Sequence, residues 1–299
     1  MIKRNNPILL GILAILFLGI IGIWLFYAPL FDHSKDGADP SKGTVELVYV
    51  EWASEIASTN VVKVVLEDIG YQVKLIPVSA AAMWQAVASN DKDGFVAAWL
   101  PTTHAHYLKK VKDQVVELGP NLQGTKIGLV VPSYVTINSI EELNTHADAF
   151  QGKIIGIDPG AGLMSKTEMV IEEYNLDQFK LLDGSGATMT ATLRDAIRNQ
   201  EWVVVTGWTP HWKFVRWQLK YLEDPKEIYG QEEYIGTVVR KGLKEDMPEV
   251  YRVLDNFSWT TNDVGQVMIW NQEKDSSPYQ NAKRWINENP DQVKRWISP

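Results

Sequence analysis

From residue 44 onward the chain alternates short apolar runs with stretches of mixed polarity. Residues 45–50 are rich in β-branched side chains, which predicts a strand. A helix over 61–69 follows, with Ser58, Thr59 or Asn60 as its cap and Gly70 as its stop. Residues 71–77 predict a second strand, 80–89 a helix, 95–99 a third strand, and 107–112 the start of another helix. A new apolar run, 122–132, closes at Pro132, and Ser139 with Glu142 gives a capping-box pattern. A second series then predicts strands over 153–157, 179–182 and 203–207, separated by helices over 164–174 and 189–198. Strands alternating with helices predict an α/β fold with a mostly parallel sheet. The run 237–240 predicts a crossing back between two halves. The tail 244–299 is polar and helical, and Met247-Pro248 marks a helix start.

The two series resemble each other. In each, a helix with an early methionine (Met83 or Met189) leads into an apolar strand ending Trp-x-Pro. The first ends Trp99-Leu100-Pro101 and the second Trp208-Thr209-Pro210, where proline forbids a continuing inner strand. This predicts two similar lobes with a ligand cleft between them. The expected division is 44–131 plus 236–299 for one lobe and 132–235 for the other. Residues 1–43 stand apart as an anchor or signal segment and tether.

That N-terminal segment contains an uncharged run, residues 8–28. At about 1.5 Å per residue it reaches roughly 30 Å, enough to span a bilayer as one helix. Lys3 and Arg4 precede it, so the rest of the chain is expected outside the cytoplasm. The run ends Trp24-Leu25-Phe26-Tyr27-Ala28-Pro29, a poor cleavage context, which favours a single-pass membrane anchor over a signal peptide. A secreted or periplasmic protein after cleavage is the alternative.

Composition narrows the chemistry. The 299 residues contain no cysteine, which excludes disulfides, thiolate metal sites and a lipid-modified cysteine. A net charge of −8 argues against nucleic acid as a partner. There are 12 tryptophans, and three of them, Trp52, Trp99 and Trp208, fall where apolar runs end. In open α/β sheets ligands bind at that edge. Three tryptophans delivered there predict an aromatic cage for a quaternary ammonium ion. Each alone reads more simply as core; their shared position sets them apart. Trp84, Trp202, Trp212 and Trp217 are expected to serve packing. A glycine-rich turn, Asp158-Pro159-Gly160-Ala161-Gly162, enters a helix whose amides at Gly162 and Leu163 are candidates for holding a carboxylate. His104 adds a candidate side-chain donor. His104 and His106 do not share a helix face, so no metal or cofactor is expected. His211 is expected at the surface or as a cap.

Four motifs then carry a resemblance: Tyr-Val-Glu-Trp-Ala-Ser-Glu at 49–55, Ala-Trp-Leu-Pro-Thr-Thr-His at 98–104, Gly-Ile-Asp-Pro-Gly-Ala-Gly at 156–162 and Thr-Gly-Trp-Thr-Pro-His-Trp at 206–212. Together they resemble the glycine betaine substrate-binding proteins of ABC transporters, over essentially residues 44–299. The resemblance implies a two-lobed periplasmic-binding-protein fold (type II-like) that closes on its ligand and is not an enzyme. It implies that Trp52, Trp99 and Trp208 surround the trimethylammonium group. It also implies that the Gly162 and Leu163 backbone and the His104 side chain meet the carboxylate. The implied partners are glycine betaine or proline betaine and an ABC permease, in osmoprotection. The chain departs from lipid-anchored relatives in lacking the required cysteine.

Other readings are a choline or carnitine binder and a membrane-anchored quaternary-ammonium sensor. A hydrolase or metalloenzyme using His104, His106 and Asp158 is disfavoured, because the chain contains neither Gly-x-Ser-x-Gly nor His-Glu-x-x-His.

Overall fold

The structure is a computed structural model and describes residues 42–298. The uncharged run 8–28 lies outside the described residues, and among these no helix is long and apolar enough to cross a membrane.

Strand β1 (Thr44–Tyr49) runs parallel to β2 (Gln72–Pro77), with helix α1 (Ala53–Asp68) between them. Helix α2 (Ala80–Ala88) leads to β3 (Gly94–Leu100), which is also parallel to β1. All seven β3 residues are buried, as expected for a strand covered on both faces. After α3 (Ala105–Val111) comes the long strand β4 (Val115–Pro132), on which the molecule turns. Its first part, through Thr125, pairs antiparallel with β9 (Glu233–Arg240), and β9 pairs antiparallel with β3. From Lys126 onward β4 pairs instead with β7 (Val204–Thr209) and β8 (Leu219–Tyr221). That second sheet continues through the parallel strands β5 (Lys153–Ile155) and β6 (Lys180–Leu182). Helices α4 (Gly162–Glu173) and α5 (Gly186–Asn199) pack on it. Two sheets joined through β4 make two lobes.

Three expectations need correction. The sheets are mixed, because β9 and β4 enter antiparallel to their neighbours. The segment at 237–240 lies within β9 in the first sheet, and it is β4 that spans both sheets. Helix α1 begins at Ala53 with Trp52 as its N-cap, so Ser58, Thr59 and Asn60 lie inside it. Ser58 and Asn60 do not cap the helix; their side chains donate to the carbonyls of Glu55 and Ile56, one turn back. Polar residues on a buried helix face hid the true start.

A short helix α6 (Lys213–Arg216) follows β7. The tail forms α7 (Leu243–Asp246), α8 (Pro248–Asn256), α9 (Thr261–Trp270), α10 (Pro278–Glu288) and α11 (Pro290–Ile297), with α9 and α10 against α1. Proline stands at the start of α8, α10 and α11, where a missing N–H costs nothing. Trp285 stacks on Trp296 with ring centroids 5.7 Å apart and meets Trp259 edge-on. The tail's tryptophans therefore build core around the first lobe.

Candidate functional site

The ends of β1, β3 and β7 bring Trp52, Trp99 and Trp208 around one small, tightly closed apolar enclosure. Thr103, His104, Ile127, Ile157, Ala161 and Leu163 complete its lining. All three tryptophans are buried. Each is fixed differently. Trp52 donates its indole N–H to Asp158, at 3.0 and 3.2 Å to the two carboxylate oxygens. Trp99 donates to Glu55 Oε1 at 3.0 Å. The Trp208 indole N–H is buried without a partner among the described residues.

The turn after β3 is tied back onto the strand. The Trp99 amide donates to His104 Nδ1 at 3.2 Å, and the His104 amide donates to the Trp99 carbonyl at 2.8 Å. Buried Glu233 on β9 accepts both the Thr102 and Thr103 amides at 2.7 Å, and the Thr103 hydroxyl as well. The peptide bonds before Pro101 and Pro210, which end the two Trp-x-Pro motifs, are both cis.

His104 has a defined role in this geometry. Because Nδ1 accepts a hydrogen bond, the proton of the neutral ring sits on Nε2. Nε2 is buried and has no partner among the described residues. Burial, with His106 nearby, pushes the imidazole pKa down to about 3. The ring is therefore a neutral N–H donor with no acceptor among the described residues, and such an orphan is costly unless something else accepts it.

The second lobe supplies the helix start. Gly160 is in the left-handed region, at φ +87°, and turns the chain into α4. Gly162 and Leu163 are the first two helical residues, whose amides have no intrahelical acceptor. Gly162 sits against the other lobe. A Cβ there would come within 2.4 Å of the Thr103 carbonyl oxygen. The Tyr107 hydroxyl donates to the Gly160 carbonyl at 2.5 Å, and Trp52 bonds Asp158 across the same junction. The two lobes are thus shut against one another, and five of the six expected site residues line the space enclosed while Gly162 forms its seam.

A larger space of about 1020 Å³ lies beyond Trp208, edged by Glu51, Arg194, Arg216, Trp212 and Trp217. It shares Trp208 with the smaller enclosure, but Trp52, Trp99, His104 and Leu163 do not line it. Trp84 is core and Trp202, Trp212 and Trp217 are partly buried against it, as expected; Trp212 and Trp217 also border this open space. His211 is buried and not at the surface: its Nδ1 accepts the Lys213 amide at 3.1 Å. Glu55 and Thr103 fall inside the 49–55 and 98–104 motifs but carry no expected role there, and Glu233 and Lys213 lie outside all four motifs.

The family model for the substrate-binding domain of ABC-type glycine betaine transport systems matches residues 43–288. The chain belongs to this family. It is a family of solute-binding domains, not of enzymes. A glycine betaine/carnitine transport binding protein of Listeria monocytogenes, GbuC, is 50% identical over 146 residues, which are 48% of each chain. The match thus spans about half the length of that relative. Lactococcal OpuAC, solved in a closed conformation complexed with glycine betaine, shares 45% identity and a TM-score of 0.82. That superposition covers 86% of this chain and 100% of the other. The glycine betaine/L-proline-binding protein ProX of Borrelia burgdorferi shares 40% identity and a TM-score of 0.83, over 85% and 97% of the two chains. The two-lobed substrate-binding fold anticipated for the chain is thereby established.

Proposed function

We propose that this substrate-binding domain captures glycine betaine, or proline betaine, in a cage of Trp52, Trp99 and Trp208 and delivers it to an ABC permease. One observation carries the proposal: three buried indoles and an orphaned, neutral His104 N–H converge on a single enclosure at the lobe seam. A quaternary ammonium has no N–H to donate, so aromatic faces suit it better than acceptors, at about 2 kcal/mol or more per desolvated contact. Its carboxylate finds donors in His104 Nε2 and in the amides of Gly162 and Leu163 at the α4 N-terminus. These donors favour a carboxylated ligand over choline.

As a substrate-binding domain of a transport system, the described part works outside the cytoplasm. We assign residues 8–28 as its membrane anchor, from their lack of charge and their length. We place the lobe boundaries within β4, near 125–126, and at the start of β9, near 233, close to the expected 131 and 236, with closure about these connecting strands. Calorimetric titration of the purified full chain with glycine betaine, choline and proline tests the assignment. Saturable one-to-one binding of glycine betaine, with weaker choline and little proline, is expected. No heat from glycine betaine in a folded sample refutes it.

A further inference from the structure

Two walls of the enclosure are backed by buried ionisable groups that do not line it. Glu55, only 1% exposed, takes the Trp99 indole N–H from behind. Lys213, fully buried, holds its Nζ 4.5 Å from the centroid of the Trp208 ring. That ammonium has no ion pair among the described residues; its one acceptor is the Thr206 carbonyl, at 3.5 Å. A lysine is seldom buried without a counterion, and here it sits against a cage wall.

Building on the binding function proposed above, we propose that Glu55 and Lys213 set the electrostatic strength of the cage from behind its walls, so that a quaternary ammonium is held more tightly when Glu55 is ionised and Lys213 is neutral. A positive charge on the far face of Trp208 repels a cation on the near face. A negative charge at the Trp99 N–H attracts it. Lys213 Nζ stands 4.5 Å from the Trp208 centroid; a ligand cation seated on the other face at a usual cation–π distance would stand roughly 9 Å from it, and at an effective dielectric near 20 one such charge changes affinity on the order of tenfold.

Burial pushes the Glu55 carboxyl up to about 7, against its hydrogen bonds from Trp99, Ser54 and Ser58, and it pulls the Lys213 ammonium down to about 7. As pH rises through neutrality Glu55 gains its charge and Lys213 loses its own. Both changes favour a bound cation. Binding therefore releases protons, and affinity rises with pH.

The neighbouring groups do not mimic this. His104 and His211, beside Trp99 and Trp208, are held neutral by burial far below the window. Exposed His106 is shifted down from its ordinary value, also mainly by burial. Tyr221, stacked on Phe214 beside Lys213, is pushed upward by burial. Val130, packed at Gly207 behind Lys213, does not titrate. Asp158 faces Trp52, Glu233 holds the Thr103 turn, and Glu51, Arg194 and Arg216 edge the neighbouring open space.

The test is calorimetry of the full chain with glycine betaine and with choline from pH 6 to 8.5, in buffers of different ionisation heat. Affinity for both ligands is expected to rise between about tenfold and a hundredfold across that range, from two charges of on the order of tenfold each, with net proton release near pH 7. Glu55→Gln keeps an acceptor for Trp99, and Lys213→Met keeps the side-chain length. Each should flatten the profile in part, and the double variant should abolish both slope and proton release. Wild-type binding that is independent of pH and releases no proton overturns the proposal alone. So does a slope that survives in the folded double variant. Absence of binding at every pH overturns the binding function, and this proposal with it.

Discussion

Gly162→Ala separates closure of the cleft from stability of the fold. Gly162 is the first residue of α4 with no positive φ, so alanine suits its backbone and even favours the helix. The obstacle is the other lobe. The added methyl would lie 2.4 Å from the Thr103 carbonyl oxygen and 2.6 Å from Thr103 Cγ2. An ordinary carbon contact needs about 3.5 Å, so roughly 1 Å of overlap must be relieved. Thr103 cannot easily yield, because Glu233 holds its amide and hydroxyl, and the His104 amide next to it is bonded to Trp99. Overpacking of this kind costs about 1–3 kcal/mol, and it falls on the closed state only. Glycine betaine affinity should drop roughly five- to a hundred-fold. The unliganded melting temperature should change little, since open lobes do not press Gly162 against Thr103. Titration calorimetry and a thermal melt of the free protein measure both. Wild-type affinity in Gly162→Ala would refute the seam as the closing contact. An equal loss of affinity and unliganded stability would show that the contact belongs to the fold.

Three further outcomes follow from the same geometry. Trp99→Ala removes one wall and should weaken glycine betaine more than about tenfold, read by titration, from a desolvated contact worth about 2 kcal/mol; unchanged affinity would take Trp99 out of the site. His104→Ala removes the orphan donor and should weaken carboxylated ligands about tenfold or more while hardly affecting choline; equal losses would mean that His104 only braces the Trp99 turn. Trp285→Ala, far along the chain in the tail's aromatic cluster, should cost about 3–5 kcal/mol of stability and lower the melting temperature by on the order of 10 °C, with binding intact while the protein remains folded.

Much of this protein was determined by its sequence. Apolar runs ending in Trp-x-Pro marked where strands stop, because proline cannot donate into an inner ladder. Tryptophans at such ends face a sheet edge, which is why Trp52, Trp99 and Trp208 stand out together as one group in the sequence. The glycine-rich entry to α4 was legible because local turn chemistry is written in neighbouring residues. What depended on contacts between distant residues was not. The pairing of Glu55 with Trp99, of Asp158 with Trp52, and of Glu233 with Thr103 joins positions 44, 106 and 130 residues apart. Lys213 reads in sequence as an ordinary surface lysine, and only the fold of the segment after β7, which brings its Nζ back to the Thr206 carbonyl, buries it beside Trp208. The antiparallel entry of β9 and the passage of β4 through both sheets were likewise tertiary decisions. Side-chain periodicity tells which face of a strand is buried, and carries no information about which strand lies beside it.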